Sequence, residues 1–225
     1  MKHLPRVKIC GMKTAEDIEL AVSCGADAVG FITEVPVNTP RKLDAQTASE
    51  LVKKVPFFVD SVLVIMPENG QEALELIEKV RPDVVQIHNN LSADEIAIIR
   101  NKTHQKIIRT FVVPVECREL PSEMMAEIDS LYENDLIDGI LLDSGKAGAS
   151  GGTGLVHDWS ISRKIVENTE APVILAGGLK ADNVRDAVNK VMPFAVDTAS
   201  GVETDGKKDP AKVCRFIKEA RCING

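Results

Sequence analysis

The sequence predicts a single (β/α)8 barrel, the parallel eight-stranded TIM-barrel architecture with helices on the outside. Short β-branched runs alternate with longer amphipathic stretches along the whole chain. Eight such runs can be read, the number a closed parallel barrel needs. The length of 225 residues falls within the roughly 200–250 over which α/β barrels run as one domain.

In chain order the candidate strands are RVKIC (6–10), DAVGFIT (27–33), FFVDSVLVI (57–65), DVVQI (83–87), KIIRTFVV (106–113), IDGILLD (137–143), PVILA (172–176) and FAVDTA (194–199). Several are apolar almost throughout, as strands covered on both faces are. After the first, the stretch 14–24 sets Ile18, Ala21 and Val22 at helical spacing. Thr14 can cap its free amides, and Glu16 and Asp17 favour the positive end of its dipole. The stretches around 74–80, 93–100, 124–132, 159–166, 183–191 and 213–220 behave similarly. Strict alternation implies parallel strands joined by right-handed crossovers. An open doubly wound sheet is the runner-up, but it would usually carry fewer strands and a GxGxxG turn after the first, and CGMKTA is not one. No linker, charge run or composition shift marks a boundary, so residues 1–225 read as one catalytic domain.

Hydrophobic residues at 44% and charged residues at 27% are ordinary globular values and leave no case for disorder. No stretch approaches the about 20 apolar residues of a membrane span, and MKHLPRVKIC has no signal-peptide core. The expectation is a soluble, cytoplasmic protein with no membrane partner. A net charge of −7 argues against nucleic acid. It also means that a phosphate on a small ligand must be met largely by backbone amides and helix N-termini. The cysteines Cys10, Cys24, Cys117, Cys214 and Cys222 are odd in number, scattered and without CxxC spacing. That speaks against both a disulfide framework and a zinc site.

In this architecture the chemistry lies in the loops after the strands. Glycines crowd there: 148–154 after the sixth strand, Gly177 and Gly178 after the seventh, and Gly201 after the eighth. Such glycines free backbone N–H groups to point into a concavity, and the last two loops are the usual phosphate site of the fold. A small phosphorylated substrate is therefore expected. Cys10 ends the first strand beside Lys8 and Gly11. It is either a small buried hydrophobe or a thiolate base activated by positive charge. Asp143 either caps the turn after ILLD or faces the mouth as an acid whose pKa burial has raised. Arg41 is either a solvated loop residue or a two-pronged partner for a substrate carboxylate. His88 is read as structurally satisfied, and His157 and Trp159 as the start of the sixth helix. No HExxH or His/Asp/Glu cluster, GxSxG or P-loop is present. The chemistry expected is proton transfer by side chains, with no metal and no cofactor.

With these residues in place, the chain resembles the N-(5′-phosphoribosyl)anthranilate isomerases over essentially its whole length. The resemblance rests on Lys8-Ile9-Cys10-Gly11, Pro40-Arg41, Val85-Gln86-Ile87-His88, Leu142-Asp143, Gly151-Gly152-Thr153-Gly154, Ala176-Gly177-Gly178-Leu179 and Ser200-Gly201-Val202-Glu203. It implies an Amadori rearrangement in tryptophan biosynthesis. In it Asp143 would be the general acid, Cys10 the general base, and Arg41 the partner of the anthranilate carboxylate. Gly177, Gly178, Ser200 and Gly201 would cradle the phosphate, and Asp197 would orient substrate or brace that loop. No cofactor is implied, since the substrate's own iminium takes up the electrons. Asn89 stands where the family usually has Gly. The alternatives are another phosphate-binding barrel isomerase or lyase, and a catalytically inactive sensor of a phosphorylated ligand. Apolar helix faces serve core or interface equally well, which leaves monomer and homodimer both open.

Overall fold

The computed structural model describes residues 4–145 and 156–222. Strand β1 (Arg6–Cys10) leads to α1 (Ala15–Ser23), and β2 (Ala28–Ile32) to α2 (Ala45–Val52). Then follow β3 (Asp60–Ile65), α3 (Gly70–Val80), β4 (Val84–Ile87), α4 (Ala93–Lys102), β5 (Lys106–Pro114), α5 (Ser122–Glu133) and β6 (Gly139–Gly145). The last third holds α6 (Trp159–Asn168), β7 (Val173–Leu175), α7 (Val184–Val191) and β8 (Ala195–Thr198). A single 3-10 turn (Ser200–Val202) and a short hairpin, β9 (Glu203–Thr204) and β10 (Lys207–Lys208), precede α8 (Pro210–Ala220).

The eight long strands form a closed barrel in sequence order, with β1 pairing in parallel with both β2 and β8. The expected architecture is thus the observed one. Caps set the helix starts. Thr14 and Asp17 satisfy each other's backbone N–H groups at α1, and Asp44, Asn69 and Ser92 cap α2, α3 and α4 with their side chains. Among the described residues, no helix is long and apolar enough to cross a membrane.

Alternate strand residues point into the barrel. Cys10, Val62, Val64 and Val84 pack there on one side, and Leu141, Ile174, Ala176 and Ala195 on the other. The remaining strand residues face the helices and build two outer cores, against both of which the half-buried Leu43, Val52 and Val166 pack. One lies behind β3 to β6 and includes Leu63, Ile87, Ile107 and Leu142. The other lies behind β7, β8, β1 and β2 and includes Leu175, Val196, Ile9 and Phe31.

Three features depart from the sequence reading. Helix α2 has no counterpart among the periodic stretches, because the side chains it buries are Ala45, Ala48, Ser49 and Leu51, mostly too small to register as an apolar face. Strand β3 begins three residues late. A turn closed by Val59 N–H on the Pro56 carbonyl, with Phe58 at φ 74°, leaves Phe57 and Phe58 outside the sheet at 85% and 90% exposure. Finally, Cys24 and Cys214 form a disulfide, contrary to the expectation from cysteine spacing. The two residues are 190 apart in sequence, yet the closing of the ring makes α1 and α8 neighbours and sets their Cα atoms 4.9 Å apart.

A link spanning so much chain removes considerable freedom from the unfolded state, about 5 kcal/mol in the loop-entropy picture. Reduction, or Cys24→Ser, is therefore expected to lower the thermal midpoint by about 10–20 °C. Scans with and without reductant check this; equal midpoints from a sample whose bond is verified by thiol titration would refute it.

Candidate active site

The strand ends build a cavity of about 340 Å³ at the C-terminal mouth of the barrel, lined by residues that include Cys10, Arg41, His88, Asp143, Gly177, Gly178, Asp197 and Ser200. Of the sequence-predicted site residues, Gly201 alone is not on its wall. It sits behind, packed so tightly on the Leu179 carbonyl that a Cβ would fall 1.9 Å from that oxygen. Gly177 and Gly178 have φ of 82° and 66°, a left-handed backbone that favours glycine. The segment 146–155, with its GGTG motif, lies outside the described residues.

Cys10 and Lys8 share the inner face of β1, and Asp197 lies opposite Lys8 on β8. The Lys8 ammonium donates to Asp197 Oδ1 at 3.1 Å and to Gln86 Oε1 at 3.0 Å. Burial opposes its charge, but Asp197 and Cys10 outweigh that and hold its pKa above the ordinary lysine value. Burial pushes the Cys10 thiol up, and Lys8 pulls it down less strongly. Gly30 leaves the room for this arrangement: a Cβ there would come within 2.8 Å of Cys10 Sγ and 3.2 Å of Lys8 Cε.

Asp143 stands across the mouth on β6 at 8% exposure. Burial, reinforced by the negative charge of Asp197, raises its pKa from 3.8 to about 6. A group held this way can be a proton donor near neutrality. His88 is held neutral, its pKa lowered to about 4 by burial and by Lys8. Its Nε2 lies 3.7 Å from Asp143 Oδ2, and Gln86 Nε2 lies 3.3 Å from its Nδ1. His157 is buried at the entry to α6, where its two ring nitrogens contact the hydroxyls of Ser144 and Ser162 at 2.6 and 2.5 Å. Arg41 is paired: Nε and Nη2 donate to the two carboxylate oxygens of Glu203 at 2.9 and 2.5 Å.

Sequence reasoning met Gln86 and Glu203 only as parts of motifs and gave them no role, and it left out Lys208. The first has only the period-two alternation with His88 as a signal. The other two lie beyond β8, the last barrel strand, where nothing in the spacing ties them to Arg41. Among the described residues no group of three or more His, Cys, Asp or Glu side chains is placed to hold a metal.

A buried carboxyl group and a buried thiol on the wall of one cavity, with Gly177 and Gly178 beside them, are the parts of a barrel enzyme that moves protons on a small substrate. The family model for N-(5′-phosphoribosyl)anthranilate (PRA) isomerase matches residues 7–219. The chain belongs to the N-(5′-phosphoribosyl)anthranilate isomerase family. It is 56% identical over 223 residues to the N-(5′-phosphoribosyl)anthranilate isomerase of Methanosarcina acetivorans, covering 96% of this chain and 93% of that one. A solved structure of monomers generated from the dimeric Thermotoga maritima enzyme is 30% identical, with a TM-score of 0.78 over 97% of this chain and 100% of that chain. A phosphoribosyl anthranilate isomerase in complex with reduced 1-(o-carboxyphenylamino)-1-deoxyribulose 5-phosphate is 31% identical, with a TM-score of 0.77 over the same shares.

Proposed function

We propose that this chain isomerises N-(5′-phosphoribosyl)anthranilate to 1-(2-carboxyphenylamino)-1-deoxyribulose 5-phosphate in tryptophan biosynthesis, with Asp143 as acid and Cys10 as base. The observation that carries this reading is the opposed pair itself, an acid on β6 and a thiol on β1 lining one cavity. Asp143 gives its proton to the furanose ring oxygen as the ring C–O bond breaks, and the anilino nitrogen's lone pair forms a protonated Schiff base. Cys10 takes the C2′ proton, and the C–H electron pair moves into the iminium to give an enolamine. Protonation at C1′ and loss of the 2′-hydroxyl proton then yield the ketone, so that no atom is gained or lost. Gly177, Gly178 and Ser200 receive the phosphate, with Gly201 letting their loop pack against Leu179 behind them. Arg41 receives the anthranilate carboxylate, and Asp197 steadies Lys8 under the thiol.

The whole chain acts as one catalytic unit in the cytoplasm, and the exposed Phe57 and Phe58 favour a homodimer over a monomer, since water is a poor neighbour for two adjacent aromatic rings. The test is turnover of phosphoribosylanthranilate generated in situ, followed by loss of anthranilate fluorescence. A protein that shifts this fluorescence without consuming the substrate would be a sensor instead.

The pH profile follows from the two shifts. Below about 6 both groups hold protons and no base is available. Between the two pKa values the pair holds one proton, and the share of molecules with it on Asp143 rather than Cys10 does not change with pH. Above the raised thiol range the acid is gone. We expect kcat/KM to be bell-shaped, with its acid limb near 6 and its alkaline limb above the ordinary cysteine range. A profile flat on both sides of the Asp143 value of about 6 would refute the assignment.

A further inference from the structure

Glu203 ends the SGVE motif, and the acid–base pair does not use it. Its side chain is 6% exposed, and its carboxylate lies between two cations. Arg41 meets it side-on, through Nε and Nη2. Lys208, opposite Glu203 in the β9–β10 hairpin, donates to Glu203 Oε1 at 2.8 Å. The same ammonium donates to the Cys10 carbonyl at 2.6 Å and the Ala199 carbonyl at 3.0 Å, so each of its three protons has a partner. The stem of Arg41 crosses Gly11 so closely that a Cβ there would lie 2.6 Å from Arg41 Cδ. The hairpin, the arginine and the end of β1 are thus fastened together.

Two consequences follow from the chemistry of the guanidinium. Its side-on edge is taken, while the edge formed by its two Nη atoms is not the one Glu203 occupies, and Arg41 lines the cavity. Second, two cations against one carboxylate leave one positive charge in excess at the cavity wall, which suits a single carboxylate. Hydrogen bonds from Arg41 and Lys208 overcome burial and hold Glu203 ionised, its pKa below the ordinary value. We infer that Glu203 and Lys208 are positioning residues, which aim the free edge of Arg41 at the substrate's aromatic carboxylate and fix it relative to Cys10. The inference rests on the reading that the substrate carries an anthranilate group.

The test compares two substrates, the phosphoribosyl adduct of anthranilate and that of aniline, which lacks only the carboxylate. In Glu203→Ala, KM for the anthranilate adduct should rise about tenfold or more, with a smaller fall in kcat. Glu203→Gln, which keeps the shape and one acceptor, should lie between Glu203→Ala and the unaltered enzyme. KM for the aniline adduct should stay within about twofold in all three proteins. Equal losses on both substrates would mean that Glu203 is merely structural and would overturn the inference, as would an unchanged KM for the anthranilate adduct in a folded Glu203→Ala. If the unaltered enzyme handles both adducts equally well, the carboxylate reading itself falls, and the clamp with it. Discrimination by the unaltered enzyme that survives in Glu203→Ala overturns the clamp alone.

Discussion

Asp143→Asn is expected to lower kcat by about 10²–10⁴-fold, the usual worth of a general acid. The amide has the carboxyl group's shape and can still fill the space beside His88 and Ser144, but it has no acidic proton to give to a departing ring oxygen. Binding through the glycine loops and Arg41 does not need that proton. The affinity for a product-like phosphorylated ligand should therefore change little while turnover collapses. The acid limb near pH 6 should vanish too, because the group whose raised pKa produces it is gone. Stopped-flow fluorescence across pH reads both effects in one series. Turnover within about tenfold of the unaltered enzyme would move the acid role elsewhere.

Cys10→Ala should cost a similar about 10²–10⁴-fold in kcat. The thiol would be a demanding base in this position. Burial raises its pKa, and the neighbouring Lys8 only partly restores the thiolate. Cys10→Ser keeps the shape but holds its proton more tightly, so proton removal should become the slow step. Deuterium at C2′ of the substrate would then slow the Ser variant more than the unaltered enzyme. Near-normal turnover by Cys10→Ala would end the base assignment.

The barrel was legible because its strands are dense in Val and Ile and alternate with stretches of helical periodicity, a local property that survives without knowledge of contacts. Its exceptions have local causes. Ala45, Ala48 and Ser49 bury a helix face without looking apolar, and the Pro56–Val59 turn diverts Phe57 and Phe58 from a strand that their β-propensity would extend. The candidate site was legible as positions, since strand ends can be located from the strands. Its interactions were not. Arg41 and Glu203 are 162 residues apart, Cys10 and Lys208 are 198 apart, and the two bridged cysteines 190 apart, and only closure of the ring brings them together. Even the alternatives left open for Asp143 turn on burial, which a sequence of mostly hydrophobic neighbours hints at but does not assign.

The two outer cores behind the barrel have a consequence for how the molecule fails. Cys10 is flanked by Ile9, which belongs to one core, whereas Asp143 is flanked by Leu142, which belongs to the other. The proposed proton donor and acceptor therefore sit on strands backed by different cores, and their separation is set by how those parts meet along the seams β2–β3 and β6–β7. A small slip at either seam would change the distance between Cys10 and Asp143, and with it the alignment that the proposed pair of proton transfers needs. In that sense catalysis acts as a gauge of the join between the parts, more sensitive to its looseness than any measure of helix content.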